Sequence, residues 1–206
     1  MRTSSLPRLL LATGVVAASL SACDSTRQVA SESTSNTVPA GPTIDDSDVT
    51  FNREVTQGDY RFVVKTFGNE EPRFVSIRSY RGSSMTMDPM RVQVTGALTN
   101  VASGDLNGNG KPELYLMTDN KKVNGGLYAY EFGERGYTPI SFPGTPAGQA
   151  GMGYTGQDMY SISGNKLVRT FPVTPTDSTM KAGNRTVEYT LDANGRLMMG
   201  QSMDAQ

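Results

Sequence analysis

The sequence predicts an all-β protein, an antiparallel β-sandwich or a strongly curved sheet of about eight short strands. From Val49 onward, short runs of β-branched and aromatic residues alternate with clusters of glycine, asparagine, aspartate and proline. No stretch of about 12 residues carries the apolar stripe of an amphipathic helix. Residues 49–206 are long enough to bury one core without disulfide bonds, so we expect a single β domain there.

The predicted strands are alternating or continuous apolar runs bounded by turn residues. They cover residues 61–67, 73–78, 91–95, 113–117, 127–132, 166–171, 186–191 and 196–199. The pair Asn194-Gly195 separates the last two runs and is typical of a tight hairpin turn. No internal repeat is evident, which argues against a full propeller.

Composition excludes several kinds of chemistry. The 206 residues include no histidine and one cysteine, which excludes a Ser-His-Asp triad, a Cys-His pair and a histidine-ligated zinc. The formal charge of −1 gives no reason to expect a nucleic-acid partner. Three acidic residues, Asp158, Glu188 and Asp192, lack a spacing that suggests paired acid–base catalysis, so we expect no enzyme.

The N-terminus is typical of an exported lipoprotein. Arg2 and Arg8 flank an apolar run over residues 9–20, which is too short to span a bilayer and fits a signal peptide over residues 1–22. The sequence Leu-Ser-Ala-Cys that ends at Cys23 resembles the bacterial lipobox. The resemblance implies that Cys23 is lipidated, with a diacylglyceryl group and palmitate-type chains. The alternative is an ordinary secretory signal followed by a chance cysteine.

Residues 23–48 comprise that cysteine and a segment rich in serine and threonine without an aromatic residue. Such a segment buries too little apolar surface to offset chain entropy, so we expect a disordered tether. Loss of Arg2 and Arg8 with the signal leaves 17 basic and 20 acidic residues, a formal charge of −3. We therefore expect a lipid-anchored protein of the bacterial cell envelope, facing the periplasm or the outer surface.

One loop has the spacing of a calcium site. Asp105, Asn107 and Asn109 occupy loop positions 1, 3 and 5, the Lys111 carbonyl is at position 7, and Glu113 is at position 9. The twelfth position is a leucine rather than the bidentate glutamate of an EF-hand, and only two carboxylates are present. The spacing predicts weak calcium binding. The alternative is a metal-free turn, in which the side chains bond the loop's own backbone.

Four segments in this order, residues 104–113, 124–130, 153–158 and 165–173, resemble the periplasmic inhibitors of invertebrate-type lysozyme. The last contains Asn-Lys-Leu-Val-Arg-Thr-Phe-Pro-Val, and the resemblance covers about residues 95–197. It implies an all-β sandwich that is secreted to the envelope and blocks a muramidase.

In that family a Ser-Gly-x-Tyr loop is thought to enter the lysozyme cleft. The equivalent target-binding loop here is Asn124, Gly125, Gly126 and Tyr128, with Gly125 in place of the serine. Loss of a hydroxyl that donates to a buried charged acceptor costs about tenfold to hundredfold in affinity. The residue-based alternative is that Tyr128 belongs to the core, because Tyr128, Tyr130 and Phe132 share one strand face.

The leading functional prediction is an envelope lipoprotein that binds and inhibits invertebrate-type lysozyme. The alternative is a non-inhibitory envelope module that binds protein or glycan, with the Gly- and Pro-rich segment 143–156 as a surface loop. We expect no cofactor other than weakly bound calcium. The sequence leaves open whether the protein forms a homodimer. Arg169 and Arg185 are predicted to form ion pairs at the surface or a sheet edge.

Overall fold

A computed structural model describes residues 46–119 and 126–205. Within those ranges the chain forms thirteen strands and two short 3-10 turns, Asp46–Asp48 and Gly148–Gly151, with no α-helix. The predicted all-β antiparallel class is confirmed. No helix in these ranges has the length and apolar character needed to cross a membrane. The predicted signal peptide, Cys23 and most of the predicted tether lie outside the described residues, as do Asn124 and Gly125 of the predicted target-binding loop.

The strands form three antiparallel sheets. Sheet 1 comprises β1 (Val49–Gln57), β2 (Tyr60–Phe67), β3 (Arg73–Arg81), β4 (Ser84–Met85) and β5 (Met90–Val94). Sheet 2 comprises β6 (Ala97–Gly104), β7 (Glu113–Asp119), β8 (Gly126–Phe132) and β9 (Tyr137–Ile140). Sheet 3 comprises β10 (Met159–Ser163), β11 (Lys166–Val173), β12 (Gly183–Leu191) and β13 (Leu197–Ala205).

Each sheet is a meander in which consecutive strands pair. In sheet 1, β4 and β5 share the free edge of β3: β4 pairs with its C-terminal end and β5 with its N-terminal half. The first strands of the sheets approach one another, since β6 contacts both β1 and β10. Sequential antiparallel strands can pair through hairpin connections, which here range from two residues between β1 and β2 to nine between β11 and β12.

Sheet 2 lies between the other two sheets, and its strand β7 contributes side chains to both hydrophobic clusters. Leu114 and Leu116 join a hydrophobic cluster with sheet 1, whereas Tyr115 and Met117 join a second cluster with sheet 3. Six consecutive residues of β7 are therefore buried, which explains its continuous apolar run. The described strands therefore form a layered arrangement of three sheets, within the predicted class of an antiparallel sandwich or curved sheet.

Both hydrophobic clusters consist of buried residues between Tyr60 and Leu197. The segment from Pro42 to Gln206 forms one compact unit that contains both clusters. Because that segment holds its complete core, a fragment of residues 42–206 is expected to fold without the preceding chain.

Candidate functional site

The predicted target-binding loop extends into β8. Its last two members, Gly126 and Tyr128, lie on that strand and are described. Tyr128 is half-buried and faces the cluster shared with sheet 1, as do Tyr130 and Phe132. Leu127 and Ala129 face the opposite cluster. The residue-based alternative, in which the three aromatic residues belong to one core-facing side of the strand, is confirmed.

The Tyr128 hydroxyl has a structural partner. It accepts a hydrogen bond from the Thr95 backbone N–H at 2.9 Å, while the Thr118 hydroxyl donates to the Thr95 carbonyl at 2.8 Å. A Cβ on Gly126 would lie 2.5 Å from the Thr118 hydroxyl oxygen and 3.3 Å from the Tyr128 ring. Glycine is therefore required here because the hairpin closes tightly on the junction between β5 and β6.

The predicted calcium loop is held by its own backbone. Asp105 accepts the N–H groups of Asn109 and Gly110, each at 3.0 Å, through its two oxygens. The Asn107 side-chain oxygen accepts the Asn109 N–H at 3.1 Å, and the Asn109 oxygen accepts the Lys111 N–H at 2.8 Å. The side-chain oxygens that would face a cation are thus already acceptors within the turn.

A carboxylate of β8 contacts side-chain nitrogen atoms of the same loop. Glu131 accepts the side-chain amides of Asn107 at 3.2 Å and Asn109 at 2.8 Å, and it lies 3.7 Å from the Lys111 ammonium. In the described ranges, no three histidine, cysteine or acidic side chains cluster. The hydrogen bonds describe a turn held by its own side chains, and weak calcium binding by this loop stays a prediction.

Glu113 lies beneath the loop and is completely buried. One carboxyl oxygen accepts the Leu106 N–H at 2.8 Å, and the other has no hydrogen-bond partner among the described residues. Burial, and to a smaller extent the negative charges of Asp105 and Glu131, raise the pKa of Glu113 from 4.5 to about 7 against the lowering effect of the Leu106 N–H. The carboxyl group is therefore half-protonated near neutral pH.

The segments 153–158 and 165–173, which carry the family resemblance, meet in a buried ion pair. The Arg169 guanidinium contacts Asp158 at 2.7 and 3.1 Å, and the Tyr154 hydroxyl donates to Asp158 at 2.6 Å. The Arg169 and Asp158 side chains are 2% and 0% exposed. The predicted ion pair of Arg169 is confirmed, but its predicted surface position is wrong.

Aromatic rings enclose the Arg169 guanidinium, with centroids 5.0–5.7 Å from its central carbon: Phe142, Tyr154, Tyr160 and Phe171. Cation–π attraction and hydrogen bonds both compensate the lost hydration of the cation. The second predicted pair is also present, because Arg185 on β12 contacts Asp204 on the edge strand β13. Arg185 itself is buried on an inner strand, so its predicted surface or edge position is wrong. These motif residues therefore stabilise the fold of sheet 3.

Sequence reasoning missed the outer face of sheet 1. Buried residues such as Phe62, Val64 and Ile77 point inward, so the alternate residues of β2, β3 and β5 point outward. The outward residues include four cations and three aromatic residues, which we call the basic face: Arg61, Lys65, Arg78, Arg91, Phe67, Phe74 and Tyr80.

Cross-strand pairing interleaves the two kinds of side chain on the basic face. Arg61 pairs with Tyr80 and places its guanidinium carbon 4.1 Å from the ring centroid. Phe67 pairs with Phe74, whose side chain is 52% exposed. The alternation of Arg61, Val63 and Lys65 in the sequence was a signal for this basic face. Alternating polar positions, however, ordinarily indicate only a strand face that is exposed to solvent.

The charge of the basic face is opposite to the formal net charge of the chain, which is −1. Glu54, at 2.9 Å from Arg61, is the one carboxylate at an outward strand position of sheet 1. Lys65 also has a partner, and Arg78 and Arg91 are the exposed cations of the face. On the outer face of sheet 3, Lys166 and Glu188 neutralise each other at 2.6 Å. Positive charge is therefore concentrated on one face of one sheet.

A comparison with protein-family models, curated protein sequences and solved structures finds no match to this chain.

Proposed function

We propose that this chain is an envelope-anchored binding protein, without a catalytic role, that recognises an anionic partner through the basic face. The observation that carries the proposal is the concentration of four cations and three aromatic residues on an open sheet face of a protein with a negative mature charge. Clustered cations raise the local concentration of anions and their association rate. The lipid on Cys23 would hold the domain at the membrane.

The positions of the acidic residues support binding rather than acid–base chemistry. Asp158 is enclosed with Arg169, and Glu188 is bonded to Lys166. Asp192 accepts the backbone N–H groups of Asn194 and Arg196 in the last hairpin turn. A general acid or base needs a titratable group within reach of a substrate, and these three carboxylates already have structural partners.

The fragment of residues 42–206 is expected to bind dextran sulfate, and the variant R78Q/R91Q is expected to bind it roughly 25-fold less tightly. Each cation near an anionic surface contributes about fivefold in affinity, and added salt should weaken the parent interaction. Equilibrium titration followed by fluorescence anisotropy of labelled dextran sulfate measures both effects.

The matched control is R135Q/K181Q, which removes the same charge from exposed positions outside sheet 1. Its affinity for dextran sulfate should stay within about twofold of the parent value. Equal losses in the two double variants, or no binding by the parent, would contradict recognition through the basic face.

A second candidate function is inhibition of invertebrate-type lysozyme by the target-binding loop. The observation that favours it is the half-buried Tyr128 at the base of that loop, whose hydroxyl accepts the Thr95 N–H. Among the described residues no acceptor is recorded for the hydroxyl hydrogen, so it is available to a carboxylate of another protein.

If this candidate is correct, the fragment of residues 42–206 inhibits invertebrate-type but not chicken-type lysozyme in a cell-wall turbidity assay. Gly125→Ser restores the family's hydroxyl and should strengthen inhibition about tenfold or more. Tyr128→Phe should weaken it, whereas Tyr130→Phe, on the same strand face, should not. Absence of inhibition by both the parent and Gly125→Ser would exclude this candidate.

A further inference from the structure

We propose that the anionic partner of the basic face is a phospholipid bilayer with acidic headgroups, so that sheet 1 lies against the membrane. This inference rests on the proposed function and names the ligand class of the same face.

The cations form a planar array. Arg61 and Lys65 lie on β2, Arg78 on β3 and Arg91 on β5, three neighbouring strands of one sheet. Strands are about 4.8 Å apart and residues rise about 3.3 Å each, so the array extends roughly 10–13 Å in both directions. Arg78 and Arg91 are the exposed members of the array, on neighbouring strands, and a surface of repeated headgroups can contact both at once.

The aromatic residues of the face distinguish a bilayer from a soluble polyanion. Phe74 is 52% exposed and lies opposite Phe67, on the same side of the sheet as the cations. Amphipathic and aromatic side chains favour the boundary between headgroups and acyl chains. A dissolved polyanion provides no apolar phase for Phe74, whereas the bilayer interface does.

The predicted anchor leads directly to this sheet. Residues 24–45 separate Cys23 from the first described residue, and β1, the edge strand of sheet 1, begins at Val49. Twenty-two residues span at most about 75 Å, so a lipid on Cys23 would hold sheet 1 within that distance of the bilayer. For the lipid-anchored protein, docking of the basic face onto the bilayer is then intramolecular, at an effective concentration of about millimolar. A weak affinity of the face for acidic headgroups is therefore sufficient for docking.

Among the described residues, Glu54 is the one carboxylate on the face, and the other nearby carboxylates lie in the turn at its end. Glu54 is bonded to Arg61, and Glu71, in the turn between β2 and β3, accepts the Arg73 guanidinium and the Gly96 N–H, each at 3.1 Å. The exposed Glu70 is at the same turn, beyond the end of both strands. The outward positions of β2, β3 and β5 carry no acidic residue.

The test measures co-sedimentation of the fragment of residues 42–206, which lacks the lipid, with two kinds of vesicle. One is an equimolar mixture of phosphatidylglycerol and phosphatidylcholine, and the other is phosphatidylcholine alone. We expect binding to the first kind only, with roughly 25-fold weaker binding by R78Q/R91Q and at most a twofold change for R135Q/K181Q. Phe74→Ser should weaken vesicle binding about tenfold and leave dextran sulfate binding unchanged.

The two proposals fail in different ways. A fragment that binds dextran sulfate through the basic face but neither kind of vesicle overturns the membrane inference and leaves the proposed function standing. A fragment that binds neither ligand overturns both. An unchanged affinity of R78Q/R91Q or Phe74→Ser for the anionic vesicles also overturns the membrane inference.

Discussion

Arg169→Met is expected to lower the free energy of unfolding of the 42–206 fragment by about 3–5 kcal/mol, because it leaves a buried carboxylate without its cation. Asp158 is completely buried and would keep only the Tyr154 hydroxyl as a hydrogen-bond donor among these three residues. Urea unfolding, followed by circular dichroism, measures the change as a lower midpoint at constant slope.

Two controls separate the unpaired charge from the loss of side-chain packing. Lys166 lies on β11, the same strand as Arg169, and forms a partly exposed ion pair with Glu188. Lys166→Met breaks this pair and should cost about 1 kcal/mol or less. Adding Asp158→Asn to Arg169→Met removes both charges and should recover part of the loss. A single Arg169→Met variant that is no less stable than Lys166→Met would refute the buried-pair interpretation.

Glu113→Gln is expected to stabilise the domain at about pH 8 by about 3 kcal/mol. The pKa of Glu113 is raised from an ordinary value of 4.5 to about 7, because the carboxyl group is buried with one oxygen unpaired. The folded state therefore binds this proton more tightly than the unfolded chain. Its contribution to stability is fully present below about pH 4.5 and is lost as the pH rises through about 7. Glutamine keeps an oxygen that accepts the Leu106 N–H and carries no charge.

Urea unfolding at several pH values between about 5 and 8 tests this prediction. The parent should lose stability as the pH rises through this range, and Glu113→Gln should lose much less. Asp192 and Asp204, whose pKa values are lowered by bonds to Arg196 and Arg185, contribute below this range, because their stabilisation is lost only as the pH falls. Glu134→Gln, at an exposed turn position, controls for the loss of one negative charge. Equal pH dependence in the parent and Glu113→Gln would contradict the assignment.

The same measurement tests the calcium loop. If the loop is the metal-free turn that its hydrogen bonds favour, millimolar calcium or a chelator leaves the unfolding midpoint unchanged at about pH 8, where Glu113 is ionised. A midpoint that rises with calcium in the parent but not in Glu113→Gln would establish a calcium site at this loop.

Every strand that the sequence missed lies at a sheet edge, although two other edge strands, β5 and β13, were predicted. All eight predicted runs correspond to observed strands, and the missed strands are β1, β4, β6, β9 and β10. Each missed strand borders a sheet, where one neighbour is absent and the hydrophobic pattern is diluted by polar residues. In β1, for example, Phe51 and Val55 reach the core, but Asn52, Arg53 and Glu54 are exposed.

The prediction of the site was less successful, for a physical reason. Local spacing correctly indicated that the residues from Asp105 to Glu113 act together, but it could not distinguish a cation from the carboxylate of Glu131, which comes from another strand. Motif order likewise singled out Asp158 and Arg169 without revealing that their side chains are buried. The basic face depends on cross-strand neighbours such as Arg61 and Tyr80, which become adjacent only through register.

The position of β7 has a consequence for how the domain unfolds. Because Leu114 and Leu116 serve one core while Tyr115 and Met117 serve the other, separation of either outer sheet would hydrate one side of the same strand. The stability of each outer sheet therefore depends on the other. We expect the domain to unfold in a single all-or-none transition, without an intermediate that lacks one sheet.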